Sequence, residues 1–180
     1  MDPHESNVQV VVQGLRPEPV RITDMEVDAH CTDPLTGTLM YSPPAGNDTS
    51  LRMGVDLDEA RPVPYVRDGR GDIDERKPYF PGRTISLAEK EQVVLDILAT
   101  TDRHYCTYTY RLKLITQDGE QQLVVDDHGK PFKVTAVPAE RIDDVATAYP
   151  AFRRMYIGGV ANSDGDVNPW PAKNPATFTP

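Results

Sequence analysis

The chain has 180 residues, 38% of them hydrophobic, and a formal net charge of −9 from 28 acidic and 19 basic side chains. A chain of this length most often folds as one domain and removes roughly 70% of its unfolded surface from water. The acidic surface repels nucleic-acid phosphates and no run of Lys and Arg offers a local exception, so neither nucleic acid nor an anionic membrane surface is expected as a partner.

Seventeen prolines and twelve glycines interrupt the chain too often for long helices and suit short strands joined by turns. Val8, Val10 and Val12 alternate and read as one face of a first strand. After the turn at residues 14–19, "VRITDMEVDAHC" reads as a long strand with Met25, Val27, Ala29 and Cys31 on one parity. Ile22 sits on the wrong parity for Met25, and a bulge near Thr23 or Asp24 repairs the register. "TLMYS" is a short strand. "LRMGVDLD" alternates cleanly, with Leu51, Met53, Val55 and Leu57 together. Residues 59–83, rich in Pro and Gly, are the longest irregular stretch and the first place to expect a binding loop.

Residues 87–99 fit a helical stripe or an alternating strand about equally. A strand from Gln92 onward agrees with the neighbouring strands. "HYCTYTYRLKLIT" is the clearest strand, with Cys106, Tyr108, Tyr110, Leu112 and Leu114 on one face. "QDGE" is a hairpin turn before the return strand "QQLVVD", and "FKVTAV" is a further strand. "AERIDDVATAY" reads as one short C-terminal helix ending before Pro150. The Gly-, Asn- and Pro-rich tail from residue 158 is expected to be extended or disordered. Short strands, frequent turns and one late helix predict an Ig-like antiparallel β-sandwich over residues 1–157.

Cys31 and Cys106 both lie on the core parity of strands far apart in sequence. Such a pair builds a bridge between sheets or across adjacent strands, and in the chain-entropy model it stabilises by about 4.5 kcal/mol. A bridge of this kind persists only in an oxidising compartment. Two buried free thiols are the first alternative. Zinc held with His30 and His104 is the second, opposed by the spacing: adjacent strand residues face opposite ways, and neither half has a C-x2-C knuckle.

Taken together, "CTDPLTGTLMYSPP", "GVDLDEARP", "YFPGRTISL", "HYCTYTYRLKL", "DDHGKPFKVTA" and "YIGGVA" resemble an uncharacterised family from Streptomyces and related actinobacteria, over about residues 8–160. Members of that family look membrane-anchored, with a transmembrane segment ahead of a domain outside the cytoplasm. The resemblance implies that the Cys31–Cys106 bridge is a framework feature. It also implies that this chain is a trimmed ectodomain at the cell surface, tethered by a segment its sequence does not include. No apolar run here approaches the ~20 residues a bilayer span needs, and "MDPHESNVQV" lacks the pattern of a signal peptide.

The most site-like phrase is "DDHGKPF". Asp126, Asp127 and His128 could serve as acid, base or metal ligands, yet the same residues make an ordinary strand-turn-strand in which Gly129 takes positive φ. Asp56 and Asp58, on one strand face, could join them around Ca²⁺, although such residues are more often the wet face of a sheet. "RGD" at residues 70–72 and "NDT" at 47–49 are short chance matches and carry no role. Tyr79, Phe80 and Tyr105 are candidate surface contacts, whereas Tyr108 and Tyr110 belong in a core. No phosphate loop, nucleophile elbow or zinc-protease motif appears, so no cofactor is expected. A binding module that contacts a protein, a cell-wall glycan or another copy of itself follows best. A hydrolase built on Asp126, Asp127 and His128 is the alternative.

Overall fold

The computed structural model describes residues 2–41, 51–68, 73–137, 149–158 and 170–178. Its strands are β1 (Asp2–Pro3), β2 (Glu5–Gln13), β3 (Val20–Thr32), β4 (Thr38–Tyr41), β5 (Leu51–Asp56), β6 (Tyr65–Arg67) and β7 (Ile73–Pro78). There follow β8 (Ile85–Leu87), β9 (Gln92–Thr100), β10 (Tyr105–Thr116), β11 (Gly119–Val125), β12 (Phe132–Thr135), β13 (Arg154–Ile157) and β14 (Ala172–Lys173).

Two sheets form a sandwich. The first runs β1-β12-β10-β3-β8, with β11 also paired to β10; the second runs β2-β9-β5-β6-β7. Period-2 alternation sends Ile22, Met25, Tyr108, Tyr110 and Leu112 inward from the first sheet, where they meet Met53, Val55, Leu95, Ile97 and Ala99 of the second. Each large apolar side chain buried in this way contributes roughly 1.5–3 kcal/mol. The β3–β10 register shifts between Lys113 and Leu114, which face Asp24 and Ile22. This is the bulge that the misplaced parity of Ile22 requires, and it lets Ile22 and Met25 both reach the core.

The sandwich is mainly antiparallel, as expected, but β5 and β9 run parallel, as do β1 with β12 and β4 with β13. β9 lies between β2 and β5, and residues 95–99 are buried without a break. A central strand covered on both faces loses its alternation, which is why residues 87–99 fitted two templates. The cover on the outer face comes partly from residues 59–83. These are not uniformly irregular, since β6 and β7 lie within them and pair antiparallel. Ile73 of β7 folds over Gly54, where a Cβ would sit 2.3 Å from Ile73 Cγ1. Only the missing side chain permits that approach.

The expected helix over residues 139–149 lies outside the described residues apart from Tyr149, which opens the 3-10 turn Tyr149–Ala151. The described part of the tail, residues 170–178, is built into the fold: β14 pairs with β13, and the Phe178 ring lies 5.5 Å from that of Tyr149. Leu39, Tyr149, Phe152 and Met155 form a second small cluster here.

Candidate functional site

Cys31 and Cys106 stand directly opposite each other on β3 and β10, with Cα atoms 4.1 Å apart, and are disulfide-bonded. Of the two geometries the parity allowed, the bridge is the one across adjacent strands of one sheet. Its sequence separation is 75 residues. The Cys31 sulfur also lies 3.9 Å from the Leu57 carbonyl oxygen of the second sheet's β5–β6 connection.

That connection is fixed at one point. Asp58, whose side chain is only 7% exposed, gathers the turn between β9 and β10 onto itself. Its Oδ1 accepts from the Thr101 hydroxyl at 2.8 Å and lies 2.7 Å from His104 Nδ1. Its Oδ2 accepts the Asp102 N–H at 2.7 Å, and the Arg103 guanidinium lies 3.6 Å away. A carboxylate only accepts, so His104 Nδ1 carries the proton. Burial alone would raise the Asp58 pKa; the bonds from Asp102, His104 and Thr101 and the charge of Arg103 outweigh it and hold the carboxyl below its ordinary value. Nearby, Asp102 Oδ1 lies 3.1 Å from His4 Nδ1. Carboxylate and imidazole thus meet in a joint that ties the two sheets together.

The segment after Asp58 forms one wall of a groove. Ala60, Arg61, Pro62 and Val63 face residues 24–29 of β3 across about 520 Å³. β8 covers β3 only from Val20 to Ile22. Beyond the bulge, no described strand pairs with β3 on that side. The close approach of Cys31 to Cys106 marks a pair without mutual main-chain bonds. Alternation puts Ala29 with Tyr108, Val27 with Tyr110 and Met25 with Leu112 in the same class. Their N–H and C=O groups therefore point away from β10 into the groove. Consistent with this, the Met25 N–H donates to Asp24 Oδ1 at 2.9 Å.

Above this edge runs an acidic row on the outward parity. Lys113 reaches Asp24 at 3.1 Å and Glu26 at 2.6 Å. Arg111 reaches Glu26 at 3.4 Å and Asp28 at 3.6 Å. Asp28 is the most exposed of the three, at 70%. The bond from Lys113, opposed by burial, lowers the pKa of Glu26.

The residues singled out from sequence are placed elsewhere. Tyr79 and Phe80 are not surface contacts: both are buried in the main core, edge to face at 5.0 Å. The strand pairing of the 59–83 segment turns them inward, and apolar burial outweighs exposure there. Tyr105 is half-buried, on β10 between Thr32 and Thr135. Asp126, Asp127 and His128 form the β11–β12 turn: the Gly129 N–H donates to Asp126 Oδ1 at 2.9 Å, and Asp127 and Lys130 exchange main-chain bonds. The Asp56 carboxylate accepts the Asp58 N–H at 2.8 Å, on the other sheet from that turn. Among the described residues no three His, Cys, Asp or Glu side chains come together as a metal site. The patterns at residues 47–49 and 70–72 lie outside the described residues. The β3 edge that no described strand pairs had no distinct signal in the sequence, because neighbour order in a sheet is set by long-range pairing.

No family model matches the chain, and neither a curated protein nor a solved structure does.

Proposed function

We propose that the chain is the extracytoplasmic domain of a membrane-anchored protein of the actinobacterial family it resembles, and that it works as an interaction module. The observation that carries the reading is the edge of β3 that no described strand pairs beyond Ile22, in a groove beside residues 60–63. Main-chain groups presented in a row on a rigid sheet recruit an extended partner by strand addition. Rigidity comes from the disulfide at one end of the row and the Asp58 joint behind the opposite wall. The disulfide also supports the location, because such bonds persist in oxidising compartments. No described helix is long and apolar enough to cross a membrane, and in this reading the anchor is contributed by another segment.

The test is site-specific photo-cross-linking on cells displaying the protein. A cross-linker at Val63, on the groove wall, should trap one defined protein. The same group at Val11, exposed on β2, should not, and excess unlabelled domain should compete. Equal capture from both positions, or none from Val63, would refute the reading. If a cell-wall glycan is the ligand instead, Val63 gives no protein adduct and a glycan panel is positive.

A further inference from the structure

Resting on that interaction reading, we propose that the groove receives an extended basic segment of the partner. It adds as a strand along Met25, Val27 and Ala29, with Lys or Arg at alternate positions beside Asp24, Glu26 and Asp28.

Three features select this occupant. The first is the main chain. Donors and acceptors of alternate β3 residues point into the groove, a pattern only an extended backbone satisfies along its length. The second is charge. A strand added here would place its outward side chains directly beside the acidic row, at the cross-strand distance where opposite charges attract and like charges repel. β10 already does this from the other side with Arg111 and Lys113. Lys113 and Arg111 already engage Asp24 and Glu26, whereas Asp28, 70% exposed, is approached by Arg111 at 3.6 Å and is the acid of the row most open to an added cation. The third is shape. The inward side chains of the added strand would meet Val27, Ala29, Ala60, Pro62 and Val63, a lining that suits small apolar residues. A second copy of the chain is disfavoured by the same row: two β3 edges pairing antiparallel would set acids against acids, on molecules each carrying −9.

The probes are two capped synthetic peptides, alternating Lys-Val and alternating Glu-Val, titrated by calorimetry against the disulfide-bonded chain, with amide exchange as the site readout. The Lys-Val peptide should bind about tenfold or more tightly than Glu-Val and protect the Val27 and Ala29 amides. Asp28→Lys should weaken it and Arg61→Glu should strengthen it. Both positions are exposed, so these variants remain informative if a third, Ala29→Pro, fails to fold. Ala29→Pro removes one groove-facing N–H without touching the β10 ladder and should abolish binding. Equal affinity for the two peptides, no binding of Lys-Val, or protection elsewhere would overturn the proposal. So would a concentration-dependent dimer that Ala29→Pro dissolves. If Lys-Val fails while Val63 still traps a protein, the partner class is wrong and the interaction reading stands; if both fail, both are wrong.

Discussion

Reducing the Cys31–Cys106 bond changes almost nothing in the folded chain except one covalent link, which makes it a clean perturbation. The bond closes a loop with a sequence separation of 75. For that length the chain-entropy model gives about 4.5 kcal/mol at 25 °C, from the freedom returned to the unfolded chain. At this size each kcal/mol shifts Tm by about 2–4 °C, so reduction should lower Tm by roughly 9–18 °C. Urea titrations with and without a phosphine reductant would measure it. The midpoint should fall, and m should rise because the uncrosslinked unfolded state exposes more surface. The double variant Cys31→Ala/Cys106→Ala separates the packing contribution. It should resemble the reduced protein apart from a smaller loss at Cys106, which is fully buried. A midpoint unchanged by reductant, with reduction confirmed by mass after alkylation, would refute the reasoning: the loop would then be held as tightly in the unfolded ensemble without the bond.

Asp58→Asn puts an amide donor against the donors around Asp58 and should cost about 2–3 kcal/mol at pH 7. Because the folded pKa of Asp58 is depressed, its stabilisation is present above the unfolded value and is lost as pH falls through the folded one. The gap between wild type and variant in urea titrations should therefore shrink below about pH 4, and a gap independent of pH would count against the joint. Gly54→Ala should destabilise by about 1–3 kcal/mol; pairing it with Ile73→Ala should recover part of that loss in a double-mutant cycle, and simple additivity would argue against the contact. Arg67 lies 3.2 Å from the buried Asp96, so Arg67→Met should cost about 3–5 kcal/mol and Arg67→Met/Asp96→Leu much less, as thermal unfolding of the three proteins would show.

Most strands were legible because one face of each is buried, and alternation records that directly. Val8, Val10 and Val12 announce β2, and the misplaced Ile22 announced a bulge. Legibility failed where burial is two-sided or where cover comes from afar. Residues 95–99 lie under other chain on both faces, so their pattern carries no period. Tyr79 and Phe80 sit among prolines and glycines, and only the pairing of β6 with β7 takes them out of water. The cysteine parity was readable, yet parity cannot say whether opposed residues sit on neighbouring strands or facing sheets. The candidate site was the least legible. Asp58 reads as one acid in an alternating stretch, and its partners Thr101 and His104 lie 43 and 46 positions away.

An open strand edge is ordinarily a hazard, because it offers the same unpaired main chain to any extended segment, including another copy of itself. β3 limits that hazard without closing the edge. At one end the bulge and β8 stop the exposed row; at the other the Cys31–Cys106 bond holds β3 to β10. Between them the acids on the outward parity repel an identical edge, while their contacts with Arg111 and Lys113 keep the row ordered. The Arg67–Asp96 pair and the Ile73–Gly54 contact lie on the outer face of the other sheet. Core stability and edge chemistry are therefore separable. Substitutions at Gly54 or Arg67 should lower unfolding stability while leaving the affinity of the folded domain for an edge ligand within about twofold, as expected for distant sites that share no partners. Asp28→Lys should do the reverse.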